Sequence, residues 1–236
     1  MKQLQEFFKD QRIQSILDVG CGAGDFIKVL NDTFGSETQL LGIDPGEVWL
    51  REARARFPQE NMEFRCMHGE KLAFKNDQFD LVSISNALHH LAQLEQTLAE
   101  MKRVVRSGGW LIVNEVIDGE LTEAQQNHRM LHHFKSYVDR LHGITHRATW
   151  TEQEIMDLAE ANGLQVKHAF LHLKMKQVNH DELFLDDKYR QMESLLEELQ
   201  GRPEFDEKKD QLPLFKERLK QHGFHLAPQL LLIAQA

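Results

Sequence analysis

Short apolar runs alternate along this chain with stretches of helical periodicity, and few architectures accommodate that alternation. The runs are SILDVG (15 to 20), QLLGID (39 to 44), MEFRCMH (62 to 68), FDLVSIS (79 to 85), WLIVNEV (110 to 116), GLQVKHAFL (163 to 171) and PQLLLIAQA (228 to 236). Between them, GDFIKVLNDTF places Phe26, Ile27, Leu30 and Phe34 on one stripe of a helix. HLAQLEQTLAEMKRVVRSGG does the same with Leu91, Leu94, Leu98, Met101 and Val105 before a Gly-Gly stop. Strands that read as apolar throughout belong to a parallel sheet covered on both faces, and its crossovers are right-handed. The simplest solution is an open, doubly wound α/β sheet.

Two stretches depart from the alternation. Residues 117 to 150 and 172 to 227 are too long for connections and too helical for linkers, so they are expected to be helical insertions. Each follows the C-terminal end of a strand, the edge where open α/β sheets bind ligands. The expected organisation is a single domain over 1 to 236, with a ligand-binding core at 15 to 116 and the two insertions, 117 to 150 and 172 to 227, forming a lid over the ligand.

The turn after the first strand narrows the chemistry. Gly20, Gly22 and Gly24 form G-x-G-x-G, which lets backbone turn sharply and approach a ligand closely. The position where a dinucleotide fingerprint needs its third glycine is Asp25, an acid where a pyrophosphate would sit, so a ligand without phosphates fits better. Asp44 ends the second strand twenty residues after Gly24, where a carboxylate accepts hydrogen bonds from both ribose hydroxyls. Loop and acid together point to a nucleoside cofactor.

Charge and composition remove other classes. The chain has 37 acidic against 28 basic residues, a formal charge of -9, which repels a nucleic-acid backbone. No apolar run approaches the ~20 residues that cross a bilayer, and MKQLQEFFKDQR lacks the apolar centre of a secretory signal, so a soluble cytoplasmic protein without a membrane partner is expected. The two cysteines, Cys21 and Cys66, make neither a disulfide framework nor a zinc pattern. His128, His132 and His133, with His142 and His146 further on, offer i,i+4 pairs, but no carboxylate or cysteine completes a ligand pattern and no metal is expected.

The segments LDVGCGAG, LGID, GEKLAFKNDQFDLVSISNALHHL and RVVRSGGWLIV, spanning 15 to 116, resemble in order and spacing the class I S-adenosylmethionine-dependent methyltransferases, in particular their small-molecule, ubiquinone/menaquinone-type branch. The resemblance implies a Rossmann-like sheet of seven strands, mostly parallel with an antiparallel last strand, and S-adenosyl-L-methionine as cofactor. It implies that Asp18 and the loop Gly20, Cys21, Gly22, Gly24 hold the methionine moiety, that Asp44 with Pro45 takes the ribose, and that Ser85 and Asn86 lie near the sulfonium. Where the family commonly has an aspartate for the adenine amino group this chain has His68, so adenine is expected on Met67, Gly69 or Glu70 instead. The chemistry implied is in-line methyl transfer to a small-molecule acceptor. His90 stands where some phosphobase methyltransferases carry a catalytic histidine; His89 and Glu115 are the other candidate bases. HHL is equally a common helix start in this branch, with His90 packing or capping. The alternative class is a protein that binds S-adenosylmethionine or S-adenosylhomocysteine without catalysis; a nicotinamide oxidoreductase is disfavoured by the missing glycine. Acceptor identity and oligomeric state stay open.

Overall fold

The computed structural model describes residues 1–236, which fall into two compact units. The first comprises Met1–Glu115, Met156–Phe170 and Leu231–Ala236; the second comprises Val116–Ile155 and Leu171–Leu230.

The first unit opens with α1 (Lys2–Phe8) and continues through β1 (Ser15–Val19), α2 (Asp25–Phe34), β2 (Gln39–Asp44), α3 (Glu47–Arg56), β3 (Met62–Cys66), β4 (Phe79–Ser85), a single 3-10 turn (Leu88–His90) and α4 (Leu94–Val104). β5 (Val105–Asp118) and β7 (Gln165–His172) follow, with α6 (Glu152–Ala161) between them, and β8 (Gln229–Gln235) comes last. The sheet order is β3-β2-β1-β4-β5-β8-β7. β1 pairs parallel with both β2 and β4, so the order reverses between β1 and β4, and a ligand crevice opens above such a reversal. β8 runs antiparallel to β5, since Gly108 N–H donates to the Ala236 carbonyl at one end and Ile117 N–H to the Pro228 carbonyl at the other.

The expected fold class holds, with two local differences. A two-residue strand, β6 (Trp150–Thr151), pairs with the end of β5 and is too short to leave a pattern in the sequence. β5 begins at Val105, five residues before the predicted Trp110, because its register against β4 jumps from Phe79↔Val105 to Leu81↔Trp110 and the residues between form a bulge. The core follows the predicted stripes: Ile27 and Leu30 of α2 meet Ile16, Leu81, Ile112, Leu231 and Ile233 of the sheet, all buried.

The second unit is helical, built from α5 (Glu123–Leu141), α7 (Glu182–Glu197), α8 (Pro203–Lys208) and α9 (Gln211–His222). α5 starts with a capping box in which Thr122 and Gln125 satisfy each other's backbone N–H groups. Leu131 and Phe134 of α5, Met192 and Leu196 of α7, and Phe215 and Leu219 of α9 form its core. Asn127 ties α5 to the end of α9, donating to the carbonyls of Arg218 and Gly223 and accepting from the Arg218 guanidinium. No helix of the chain is long and apolar enough to cross a membrane.

Candidate functional site

The turn leaving β1 is shaped by two glycines with different tasks. Gly20 has φ +68° and a Cβ there would stand 2.6 Å from the Cβ of Ala87, so the turns after β1 and β4 touch only because Gly20 has no side chain. Gly22 has φ +50° and nothing within 4 Å of where its Cβ would be. Open space above a bare backbone is room for a ligand, and the Gly22 N–H is committed to Asp44 Oδ2 at 3.0 Å.

Asp44 is thereby aimed. Its Oδ1 accepts from the Gly46 N–H at 2.7 Å, so each oxygen is fixed by one backbone donor and keeps a further lone-pair direction for a ligand hydroxyl. Its own carbonyl accepts the Met67 N–H, and the Pro45 carbonyl accepts the Cys66 thiol, which brings the ends of β2 and β3 together. Cys21 N–H donates to the Ile43 carbonyl. Its buried thiol is pushed up by burial and by the charges of Asp18 and Asp44, and so stays a packed thiol rather than a thiolate.

Asp18 is the electrostatic anomaly. It is fully buried, its Oδ1 accepts from the Ser83 hydroxyl at 2.6 Å, and its Oδ2 has no hydrogen-bond partner. Burial pushes its carboxyl up to about 7; the Asp44 charge adds to the rise and the Ser83 bond opposes it. A buried carboxylate oxygen without a donor lacks what a ligand's ammonium group would supply. The open space at Gly22, the aimed Asp44 and the unpartnered Asp18 oxygen all fit an aminoacyl nucleoside such as S-adenosylmethionine.

The remaining sequence candidates are distributed unevenly. Gly69 is buried against Val19 and Thr97, Met67 and Glu70 are half-buried, and His68 is turned to solvent with Nδ1 3.5 Å from Glu70 Oε1. Ser85 accepts a hydrogen bond from the Asn114 amide at 2.9 Å, and Asn86 donates its N–H to the Asn114 carbonyl at 2.8 Å. Asn86 sits at φ +49°, in the left-handed region where a side chain is strained and which clusters at ligand sites. Trp49 was not singled out by the sequence, yet its indole is 54% exposed in the first turn of α3, lying over Gly46 beside Asp44. The signal was present: Leu50 and Ala53 form the buried face of α3, which turns Trp49 outward.

The two histidines after β4 have opposite environments. His90 is exposed, whereas His89 is buried with Nδ1 2.8 Å from Glu115 Oε1. Glu115, itself fully buried near the end of β5, uses Oε2 to accept the Leu88 N–H at 3.1 Å. A carboxylate on Nδ1 fixes that nitrogen as the donor and leaves the basic lone pair on Nε2. Orientation by a buried partner therefore belongs to His89, not to His90. In the second unit, Asp139 accepts from His146 at 2.5 Å, and His133 bonds Thr149 at 2.9 Å.

Residues 17–113 match the family described as methyltransferase domain. The chain is 33% identical over 104 residues to the ubiquinone/menaquinone biosynthesis C-methyltransferase of Campylobacter jejuni, an overlap of 42% of this chain and 43% of that one. To the demethylmenaquinone methyltransferase of Lactococcus lactis it is 27% identical over 158 residues, 64% of this chain and 62% of the relative. The overlaps thus span about half the length of these curated relatives. A Bacillus halodurans structure, solved as a candidate methyltransferase, superimposes with a TM-score of 0.64 at 18% identity, covering 99% of this chain and 97% of the other. At that identity the superposition shows a shared fold.

Proposed function

We infer that this chain, whose residues 17–113 match a methyltransferase domain, is a class I S-adenosylmethionine-dependent enzyme that methylates a small-molecule acceptor. The observation that carries the reading is the buried Asp18 oxygen without a donor, set in the same loop cluster as the open Gly22 backbone and the aimed Asp44. When bound, S-adenosylmethionine supplies a methyl group already activated on a sulfonium. The chain's residues then have to bind, orient and exclude water.

In this reading Asp18 takes the ammonium of the methionine moiety and Asp44 takes the two ribose hydroxyls. The exposed indole of Trp49 offers a stacking face to adenine, with Met67, Gly69 and Glu70 on the adjoining turn. Pro45 carries the chain from Asp44 into α3. Ser85 and Asn86 contribute position, since Asn114 holds both. His89, oriented by Glu115, holds the lone pair that removes a proton from an acidic acceptor. Asp44→Ala is expected to weaken S-adenosylhomocysteine binding about ten- to a hundredfold, the loss of charge-assisted hydrogen bonds worth roughly 1.5 to 3 kcal/mol. Calorimetry checks this; unchanged affinity would move the ribose elsewhere.

The enzyme assignment is tested by supplying purified protein with methyl-labelled donor and pools of small-molecule acceptors, then finding the labelled product by mass. Demethylmenaquinone, for which the Lactococcus lactis relative is named, is the first acceptor to include. Binding of the donor without label in any acceptor pool would leave a binding protein and defeat the enzyme reading.

A further inference from the structure

The second unit contains a cavity of about 820 Å³ formed wholly from its own residues. Its walls are mainly Leu131, Met175, Phe184, Leu195, Phe224 and Leu226, contributed by α5, α7 and the segments on either side of the helices. Size and lining are those of a small-molecule site, an apolar chamber with a few polar groups that fix orientation.

The charged groups have one sign. Two lysines, Lys135 and Lys188, line the cavity and no aspartate or glutamate does, in a chain where acids outnumber bases 37 to 28. Lys188 is the lysine set into the wall: its side chain is 19% exposed and its ammonium lies 5.0 Å from the ring centre of Phe184 and 5.9 Å from that of Phe224. Asp187, 59% exposed, accepts one of its three protons at 3.1 Å from the surface side. Lys135 is more than half exposed and paired with Asp139.

His128 supplies a second donor. Its Nδ1 accepts the Ala227 N–H at 3.0 Å, so the ring proton resides on Nε2. Burial, followed by the charge of Lys188, pushes its pKa down to about 4, so the ring stays neutral and keeps that donor throughout the physiological range. The Phe224 ring centre lies 5.8 Å from that of His128 and 5.9 Å from Lys188 Nζ, which places both groups in one part of the cavity.

We propose that this cavity binds an amphipathic monocarboxylate, an apolar body ending in one carboxylate, with the carboxylate on Lys188 Nζ and His128 Nε2–H and the body along Leu131, Phe184 and Phe224. A phosphate fits less well, because a dianion calls for arginine forks or a nest of backbone donors and no arginine lines the wall. A neutral body of the same shape leaves the half-buried ammonium without an ionic partner inside the chamber. Binding of this ligand stands apart from the methyltransferase reading.

The experiment is calorimetry on the full chain with decanoate, with 1-decanol and, separately, with S-adenosylhomocysteine. Decanoate is expected to bind once per chain, about tenfold or more tighter than decanol. Lys188→Met, close in length but uncharged, is expected to lower decanoate affinity about ten- to a hundredfold and to leave decanol within about twofold, while Lys188→Arg restores most of the loss. Equal affinity for decanoate and decanol, or decanoate binding unchanged in Lys188→Met, overturns the proposal. So does S-adenosylhomocysteine binding with no decanoate binding. Decanoate binding with no S-adenosylhomocysteine binding upholds the cavity and overturns the enzyme assignment instead.

Discussion

If the proposed activity holds, a His89→Gln variant is expected to turn over about a hundredfold or more slowly than the parent, with S-adenosylhomocysteine affinity within about twofold, because general-base assistance is typically worth 10² to 10⁴. The expectation rests on geometry: His89 is buried, its Nδ1 is 2.8 Å from Glu115, and it stands three residues beyond Asn86 at the end of β4. Glu115→Gln should reproduce part of the loss by releasing the ring from its tautomer. His90→Gln, at an exposed position, should change turnover by no more than a few-fold. A large loss in His90→Gln with full activity in His89→Gln would assign the proton to the outer ring.

The second large effect concerns Asp18 and pH. A carboxyl raised from 3.8 in the unfolded chain to about 7 in the folded one binds a proton in the native state that the unfolded state has released. Its stabilising contribution is therefore complete below about pH 4 and is lost as pH rises through about 7. Three pKa units correspond to roughly 4 kcal/mol, an upper figure for the change in stability of the parent relative to Asp18→Asn between pH 4 and 8. Urea unfolding of both proteins across that range measures it. A pH-independent difference would mean that Asp18 titrates normally. The same group links pH to binding: an ammonium seated on Asp18 expels its proton, so S-adenosylhomocysteine should release up to about one proton per site at pH 6, and none in Asp18→Asn. Calorimetry in two buffers of different ionisation heat reads that number directly.

Much of the first unit was legible in the sequence because its information is local. All seven predicted strands are present, and Phe26, Ile27 and Leu30 are buried as the helical stripe required. Gly20, Gly22 and Asp44 could be singled out because turn geometry and strand ends leave residue-type signatures. The phase of His89 and His90 could not be read. In a 3-10 turn, at 3.0 residues per turn, neighbours project about 120° apart, so one faces inward and the other outward, and two identical letters do not say which. The start of β5 was misplaced because a bulge between Val105 and Trp110 shares the composition of a turn. The cavity in the helical unit left no motif, since its walls come from segments nearly a hundred residues apart in the chain. Asp18 could be read as part of the loop motif, but its missing donor is a property only of the folded interior.

β8 occupies an inner position of the sheet, between β5 and β7, and contributes Leu231 and Ile233 to the main core. A ribosome delivers it after both neighbours: Gln229 lies 57 positions beyond His172, the end of β7. At ~5 to 20 residues per second that interval lasts about 3 to 11 s, during which the facing edges of β5 and β7 have no partner and can pair with each other or with a neighbouring chain. The newborn protein is thus a sheet with its slot open. Soluble yield should depend on how quickly residues 173 to 228 are translated and on how well a chaperone covers the gap, more than on the final stability of the closed fold.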